Sequence, residues 1–275
     1  AVGPWASKVW KMLDLPSSVS IKGRDGEVHD GIDTWRYWCL EEGTLGIDPD
    51  IQKTNDGKLP PVDQRLPQPP RVIETGPGAY GGDLRIAMAR ARDTRLMTVY
   101  GYARLVGYDG DYNLVPDILE SYKVVDDKVF TFKLRKDHKW SDGAPFTTED
   151  FRYWWEDMAN DTDLSPLGPP VLLKVDGEVP KVEILDTHTI RFSWSKPNPF
   201  FLPALAGPRP PFIYRPAHYL KQFHKKYAEP AALEAFVKKR RMRGWGPLHN
   251  SLDNLYDMDN PVLPTLQPWF NTIRP

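Results

Sequence analysis

A mixed α+β body without regular βαβ repeats is the fold class the sequence predicts, and three observations carry that prediction. Two stretches, 121–135 and 182–194, alternate apolar and polar residues around short turns, as half-buried paired strands do. Between them, 148–160 repeats its aromatic residues at helical spacing. The remainder is cut by 28 prolines, which favour long braced crossings over continuous helices. No strand–helix–strand rhythm recurs, so a doubly wound parallel sheet is not expected.

The bulk composition narrows the function before any motif is considered. The 275 residues suffice for one large lobe or two modest domains, and hydrophobic residues at 40% with aromatics at 12% exclude disorder over most of the length. The 36 basic and 37 acidic residues nearly cancel, which argues against nucleic acid or a polybasic membrane surface as partner. Cys39 is the only cysteine, so an intramolecular disulfide and the cysteine-pair metal frameworks are excluded. No apolar run approaches the ~20 residues of a membrane span. The opening AVGPWASKVW lacks a basic region followed by an apolar core, so an exported protein is expected to have lost its signal peptide already. The 10 tryptophans supply flat apolar faces for a core, or for stacking on sugars and peptides.

Taken in chain order, residues 1–75 read as an irregular extension. Within it, Trp35, Tyr37, Trp38 and Leu40 require cover, and GKLPPVDQRLPQPPRVIE (57–74) is too proline-dense for a helix or central strand. The latter is expected to lie as a strap on the body. GPGAYGG (76–82) leads into a strand at Leu84–Ala89, where Leu84, Ile86 and Met88 alternate with Arg85, Ala87 and Ala89. Those glycines precede the strand and lack a following GKS or GKT, so they make a poor phosphate cradle.

In the first hairpin the turn falls at Asp126-Asp127, with Phe130, Phe132 and Leu134 on one face and Thr131, Lys133 and Arg135 on the other. Ser141-Asp142-Gly143 makes a turn and Pro145 delays the next helix. Thr147 then reads as an N-cap with Asp150 three residues on, a capping box with a short carboxylate. The helix presents Phe151, Trp154, Trp155 and Met158 on one face, expected to pack on the Phe130, Phe132 and Leu134 face of the hairpin. The second hairpin turns at 186–188 and carries Ile190, Phe192 and Trp194 in alternation. After a proline-broken stretch, PAHYLKQFHKKYA and AALEAFVKKR read as helices, and the run Lys238 to Arg241 as a solvated C-terminal end matching the helix dipole.

Catalytic signatures are missing: the chain has no GxSxG, HExxH or CxxC, and no glycine fingerprint after a strand. His29, His138, His188, His218, His224 and His249 show no ligand spacing; His218 and His224 share a predicted helix, but six positions apart they do not face one way. No metal and no cofactor is expected, and no hydrolytic or transferase activity. Asn160-Asp161-Thr162 is formally a glycosylation sequon, meaningful only in a secreted eukaryotic protein.

The order of these elements resembles the family 5 extracellular solute-binding proteins, the peptide- and nickel-type binding components of ABC importers. The resemblance rests on Leu114, Pro116, Leu119 and Ser121 ahead of the hairpin. It continues through Phe132, Leu134, Arg135, Trp140, Asp142, Gly143, Pro145, Phe146, Thr147, Glu149 and Asp150. Tyr122 stands where the family usually has Trp. GKLPPVDQRLP with YGGDLR, KVEILDTHTIRFSWSKPNPFF and PAHYLKQFHKKY extend the similarity over 57–228, whereas 1–56 match no known pattern.

This resemblance implies part of a two-lobed type II periplasmic-binding-protein fold whose ligand is trapped between lobes closing about a hinge. It divides the chain into an extension and strap (1–75), a first-lobe strand region (76–99), an inserted subdomain (100–207) and a return to the first lobe (208–275). Family members continue into a second lobe, so a truncated chain is expected. The implied function is capture of a peptide or small solute and delivery to an inner-membrane ABC permease, by a periplasmic or cell-surface monomer. An oligosaccharide-binding member of the family is the alternative, and a secreted glycan hydrolase or an interaction module built on 1–75 a more distant one.

In the family the segment after the first strand lines the cleft. By position that is Ala89–Tyr102, with Arg90, Arg92, Arg95, Tyr100 and Tyr102 as candidate ligand-binding residues. Guanidinium groups pair with carboxylates or phosphates, and tyrosines add a stacking face and a hydroxyl. Such a set suits a peptide C-terminus or an anionic sugar derivative; the same arginines could equally be ordinary surface charges. The W-S-D-G-x-P-F-T-x-E-D run reads as a turn, a cap and buried aromatics, and identifies the family without identifying a ligand.

Overall fold

The computed structural model describes residues 66–71, 103–207, 210–254, 260 and 262–267, together with two short strands at 20–22 and 28–30. Those strands, β1 (Ser20–Lys22) and β2 (Val28–Asp30), pair antiparallel inside a region the sequence presented as irregular. The strand expected at Leu84–Ala89 lies outside the described residues.

The described body is mixed helix and sheet. β3 (Val106–Tyr108) and β4 (Leu114–Pro116) form a small ribbon, closed by Asp109, whose carboxylate accepts from the backbone of Asp111 and Asn113. β5 (Leu119–Val125), β6 (Val129–Leu134), β7 (Lys181–Asp186) and β8 (Thr189–Ser193) make an antiparallel sheet in the order β5-β6-β8-β7. Both hairpins appear where the alternation places them. At the first, Asp126 and Asp127 take φ values of 53° and 50°, and Lys128 N–H donates to Val125 C=O at 2.9 Å. Short polar side chains tolerate this left-handed backbone, which matches the strand twist.

Phe130, Phe132, Ile190 and Phe192 point to one side of the sheet and are at most 1% exposed. Their cover differs from the expected one. Phe201, on α2 (Phe201–Ala206), meets Phe130, Phe132, Phe192 and Trp194 at ring separations of 5.0–5.9 Å. Phe151 of the helix expected there meets Phe146 and Tyr214 instead. A buried phenylalanine on a short helix after the second hairpin thus caps the aromatic face.

The helix after Thr147 starts as read: Glu149 N–H donates to Thr147 Oγ1 at 3.3 Å, and Thr147 N–H to Asp150 Oδ2 at 2.9 Å. Only α1 (Thr148–Arg152) is α-helical, however; Tyr153–Ala159 is wound as a π-helix. Wider winding rotates the apolar stripe, because successive turns no longer align at i+3 and i+4. Tyr153 and Asp157 therefore face inward with Trp154 and Met158, while Trp155 is only half-buried. Trp155 accordingly leaves the expected fully apolar face.

The helix read over 216–228 is also shorter: α3 (Ala217–Leu220) passes into a 3-10 turn at Lys221–Phe223 and ends at His224. His224, extended where the turn ends, is buried at 2% exposure. α4 (Pro230–Lys239) begins on Glu229, whose carboxylate accepts from Ala231 and Ala232 N–H, and α5 (Trp245–Leu252) follows. Residues 238–241 are exposed at the end of α4, and Lys238 pairs with Glu234 at 2.7 Å.

Residues 66–71 lie along the body as a strap. Gln68 N–H donates to Lys136 C=O at 2.8 Å, Arg135 Nη1 to Pro69 C=O at 2.8 Å, and Arg71 pairs with Asp117 at 2.7 Å.

Candidate functional site

Residues 138–150 form a tight corner that organises everything around it. Gly143 N–H donates to Trp140 C=O at 2.9 Å, Trp140 N–H to Ala144 C=O at 2.7 Å, and Ala144 N–H to Asp142 Oδ1 at 3.1 Å. Gly143 sits at φ +86°, a conformation that glycine adopts without a Cβ penalty. The corner drives Trp140 and Phe146 inward, edge to face at 5.5 Å.

Asp150 ties that corner to two other segments. Its Oδ2 accepts from Thr147 N–H and, at 3.2 Å, from Trp140 Nε1; its Oδ1 accepts from Ala217 N–H at 3.0 Å, while its own carbonyl accepts from Arg215 N–H at 3.1 Å. Burial pushes the Asp150 carboxyl up to about 6, against the bonds from Thr147, Ala217 and Trp140 that favour the anion. On the surface beside it, His218 Nε2 lies 2.7 Å from Asp142 Oδ2.

Residues 212–216 make the second wall. Tyr214 packs on Phe146, Phe151 and Trp140, with ring separations of 5.1, 5.4 and 6.1 Å. Arg215 is held by three bonds: Nε donates to Asp253 at 2.7 Å, and Nη1 to the carbonyls of Phe212 and Tyr214, each at 2.9 Å. Burial raises the Asp253 carboxyl, and Arg215 opposes that rise.

The third wall is 263–267. Ser141 N–H donates to Thr265 C=O and Thr265 N–H to Ser141 Oγ, both at 3.0 Å, so this stretch is stitched to the corner. Between the walls lies a small, mainly apolar cleft bordered by Ala103, Trp140, Phe212, Tyr214, Leu263 and Gln267, with the Arg215–Asp253 pair at its side. Such a surface can seat a compact uncharged group; among the described residues that border it, the one cation, Arg215, is paired with Asp253.

A separate polar cluster lies under the π-helix. Tyr153 Oη is 2.6 Å from His249 Nε2, and His224 Nδ1 accepts from Lys226 N–H, which leaves His224 Nε2 to donate to Asp157 C=O at 2.9 Å. Burial lowers His249 to about 3. Asp157 is pushed up by burial, but the bonds from Lys226 and Tyr227 and the charge of Arg152 hold it below the ordinary value. Tyr153, His224, His249 and Asp157 are all buried, and this cluster reads as structural support.

Arg90, Arg92, Arg95, Tyr100 and Tyr102 lie outside the described residues. Ala103, the residue next to Tyr102, borders the cleft. Phe212, Tyr214, Arg215 and Gln267 were not singled out by sequence. The only signal for three of them is PFIYRPAHY itself, two aromatics and an arginine just before a helix start; Gln267 has no local signal.

Comparison with known proteins agrees with this architecture. The model of the bacterial extracellular solute-binding proteins, family 5 (middle), matches residues 113–247. The periplasmic oligopeptide-binding protein OppA of Escherichia coli (strain K12) is 32% identical over 134 residues, covering 44% of this chain and 24% of that protein. The periplasmic alpha-galactoside-binding protein of Rhizobium meliloti (strain 1021) is 26% identical over 243 residues, 78% of this chain and 32% of that protein. A solved structure of an oligopeptide-binding protein OppA superposes with a TM-score of 0.70 at 33% identity, covering 86% of this chain and 36% of the other. In each match the chain spans about a third or less of the relative's length, with 36% the largest share. Residues 113–247, just under half of the chain, thus match the middle part of the family 5 bacterial extracellular solute-binding proteins.

Proposed function

We propose that this chain is part of the substrate-binding component of a bacterial ABC importer, capturing a peptide or related small solute and passing it to an inner-membrane permease. The observation that carries the reading is the similarity of 113–247 to the family model, with a preformed apolar cleft on the same body. The relatives are periplasmic binding proteins by name, which supports capture in the periplasm; a monomer without turnover is part of the same reading. No nucleic acid enters this reading. Segments 76–99 and 208–275 would share a lobe, with 100–207 inserted and 1–75 wrapped on the outside.

The segment Ala89–Tyr102 would supply the polar side of the ligand site, through Arg90, Arg92, Arg95, Tyr100 and Tyr102. Its support is positional, since Ala103 at the cleft follows directly. Calorimetric titration with a peptide pool and, separately, an oligosaccharide pool tests the reading. Saturable heat with peptides alone is the expected result, and heat with neither pool contradicts it. An oligosaccharide ligand is the second reading, favoured by similarity to the alpha-galactoside-binding protein over 78% of the chain. Heat with the sugar pool alone would establish it.

A further inference from the structure

The nearly equal totals of acidic and basic residues conceal a local segregation. Between Glu234 and Asp253 the chain has no carboxylate side chain, and Lys238, Lys239, Arg240, Arg241 and Arg243 all fall in that span. All five are exposed, at the corner between α4 and α5. Lys238 pairs with Glu234, and the Arg240 guanidinium lies 5.6 Å from the Phe236 ring centre. Among the described residues, Lys239, Arg241 and Arg243 have no acidic partner.

The backbone of this corner supplies a second, independent observation. α4 closes with Met242 N–H donating to Val237 C=O and Arg241 N–H to Lys238 C=O, each at 3.0 Å, the two bonds of a Schellman motif. The left-handed position of that motif is Arg241, at φ 54°. Glycine is the usual residue there, because a Cβ strains left-handed backbone. The helix dipole accounts for Lys238 and Lys239 in the last turn, but its field fades within that turn and leaves Arg241 and Arg243 unexplained. A long cation where local stability favours glycine is the kind of departure that marks a functional surface.

We propose that the α4–α5 corner is a docking surface for an anionic phospholipid bilayer, engaged through Lys239, Arg240, Arg241 and Arg243 with Lys238 beside them. The charge is complementary, and long exposed cations suit a partner whose negative charge is dense and free to rearrange. Each Lys or Arg close to such a surface strengthens binding about fivefold. A folded protein partner would ask for an apolar centre within the contact, whereas the five exposed side chains here are all cationic. None of the five borders the cleft, so the docking surface is separate from solute capture.

The test is co-sedimentation of the chain with vesicles of phosphatidylglycerol and phosphatidylcholine in equal parts, and with phosphatidylcholine alone, at low salt and at ~0.15 M. Wild type should bind the anionic vesicles only, and less at the higher salt. The combined variant Lys239→Gln, Arg241→Gly, Arg243→Gln should bind about 100-fold more weakly. A control with the same charge change, Lys123→Gln, Lys136→Gln, Lys196→Gln, should bind like wild type. Arg241→Gly alone should bind about fivefold more weakly yet melt at a higher temperature, so its loss reports charge and not unfolding. Equal loss in the combined variant and the control overturns the proposal, as does equal binding to phosphatidylcholine, no binding to anionic vesicles, or unchanged binding by Arg241→Gly. Binding abolished by millimolar inorganic phosphate overturns it in favour of a free anion, and tighter binding to polyglutamate than to vesicles overturns it in favour of an acidic protein.

Discussion

The carboxylate of Asp150 accepts a 3.0 Å hydrogen bond from the backbone N–H of Ala217, 67 positions further along the chain. The same side chain closes the capping box and holds the Trp140 indole, so one buried group joins a turn and two helix starts. Asp150→Ala would leave three donors unpaired, and unfolding in urea should show a loss of about 3–5 kcal/mol. Asp150→Asn keeps the shape but turns an NH2 toward a donor on one side, and should lose about 1–2 kcal/mol.

Asp150 also gives stability a pH dependence of defined sign. Its folded value of about 6 lies above the ordinary 3.8, so the folded state holds the proton more firmly than the unfolded chain. The resulting stabilisation is complete below pH 3.8, declines as pH rises to about 6, and is absent above. Wild type minus Asp150→Asn, followed by melting from pH 3.5 to 7.5, should fall by about 2–3 kcal/mol across that window. A difference independent of pH would show that Asp150 is an ordinary carboxylate.

His249 works in the opposite direction. Buried against Tyr153, it stays neutral down to about 3, whereas the unfolded chain protonates it near 6.5. Stability from this group is full above pH 6.5 and is lost as pH falls toward 3. Replacing it by Gln should remove about 3–5 kcal/mol of the acid sensitivity seen in wild type over that range. A variant that keeps the wild-type acid slope would locate the sensitivity elsewhere.

Phe201 and Trp155 should separate clearly in stability. Phe201 is fully buried among four aromatic rings, so Phe201→Ala should cost about 3–5 kcal/mol. Trp155 is half-buried on the π-helix, and Trp155→Ala should cost about 1–2 kcal/mol, less than a fully buried aromatic does. Urea midpoints of the two variants decide the order.

Gly143 isolates a backbone effect. A Cβ there would meet nothing within 4 Å, so a substitution acts through φ +86° alone. Gly143→Ala should destabilise by about 1–2 kcal/mol, read as a lower melting temperature. An unchanged melting temperature would mean the turn relaxes to another conformation.

Much of this protein was decided locally and was therefore legible in its residues. Alternation placed both hairpins, because a strand's faces follow a period of two whatever it packs against. Asp126-Asp127 set the first turn, and Thr147 with Asp150 set the helix start, through bonds that reach no more than three residues. The family resemblance was carried by the same short-range features.

What only the tertiary structure decided involves long loops in sequence. Phe201, and not Phe151 of the helix at 148–160, meets the rings of the sheet face; both segments offer aromatic residues, and composition does not rank them. The π-winding at Tyr153–Ala159 accompanies a buried Tyr153–His249 contact across 96 positions, so helical periodicity alone placed Trp155 on the buried face and did not single out Tyr153. The cleft is the extreme case. Gln267 borders it because Ser141 and Thr265 exchange hydrogen bonds across 124 positions, and no local pattern encodes which distant backbone a threonine will meet. Sequence thus determined the two hairpins, the first turn and one helix start, whose energies are short-ranged, while the winding of the helices, the pairing of apolar faces and the site between them awaited the packing of the whole body.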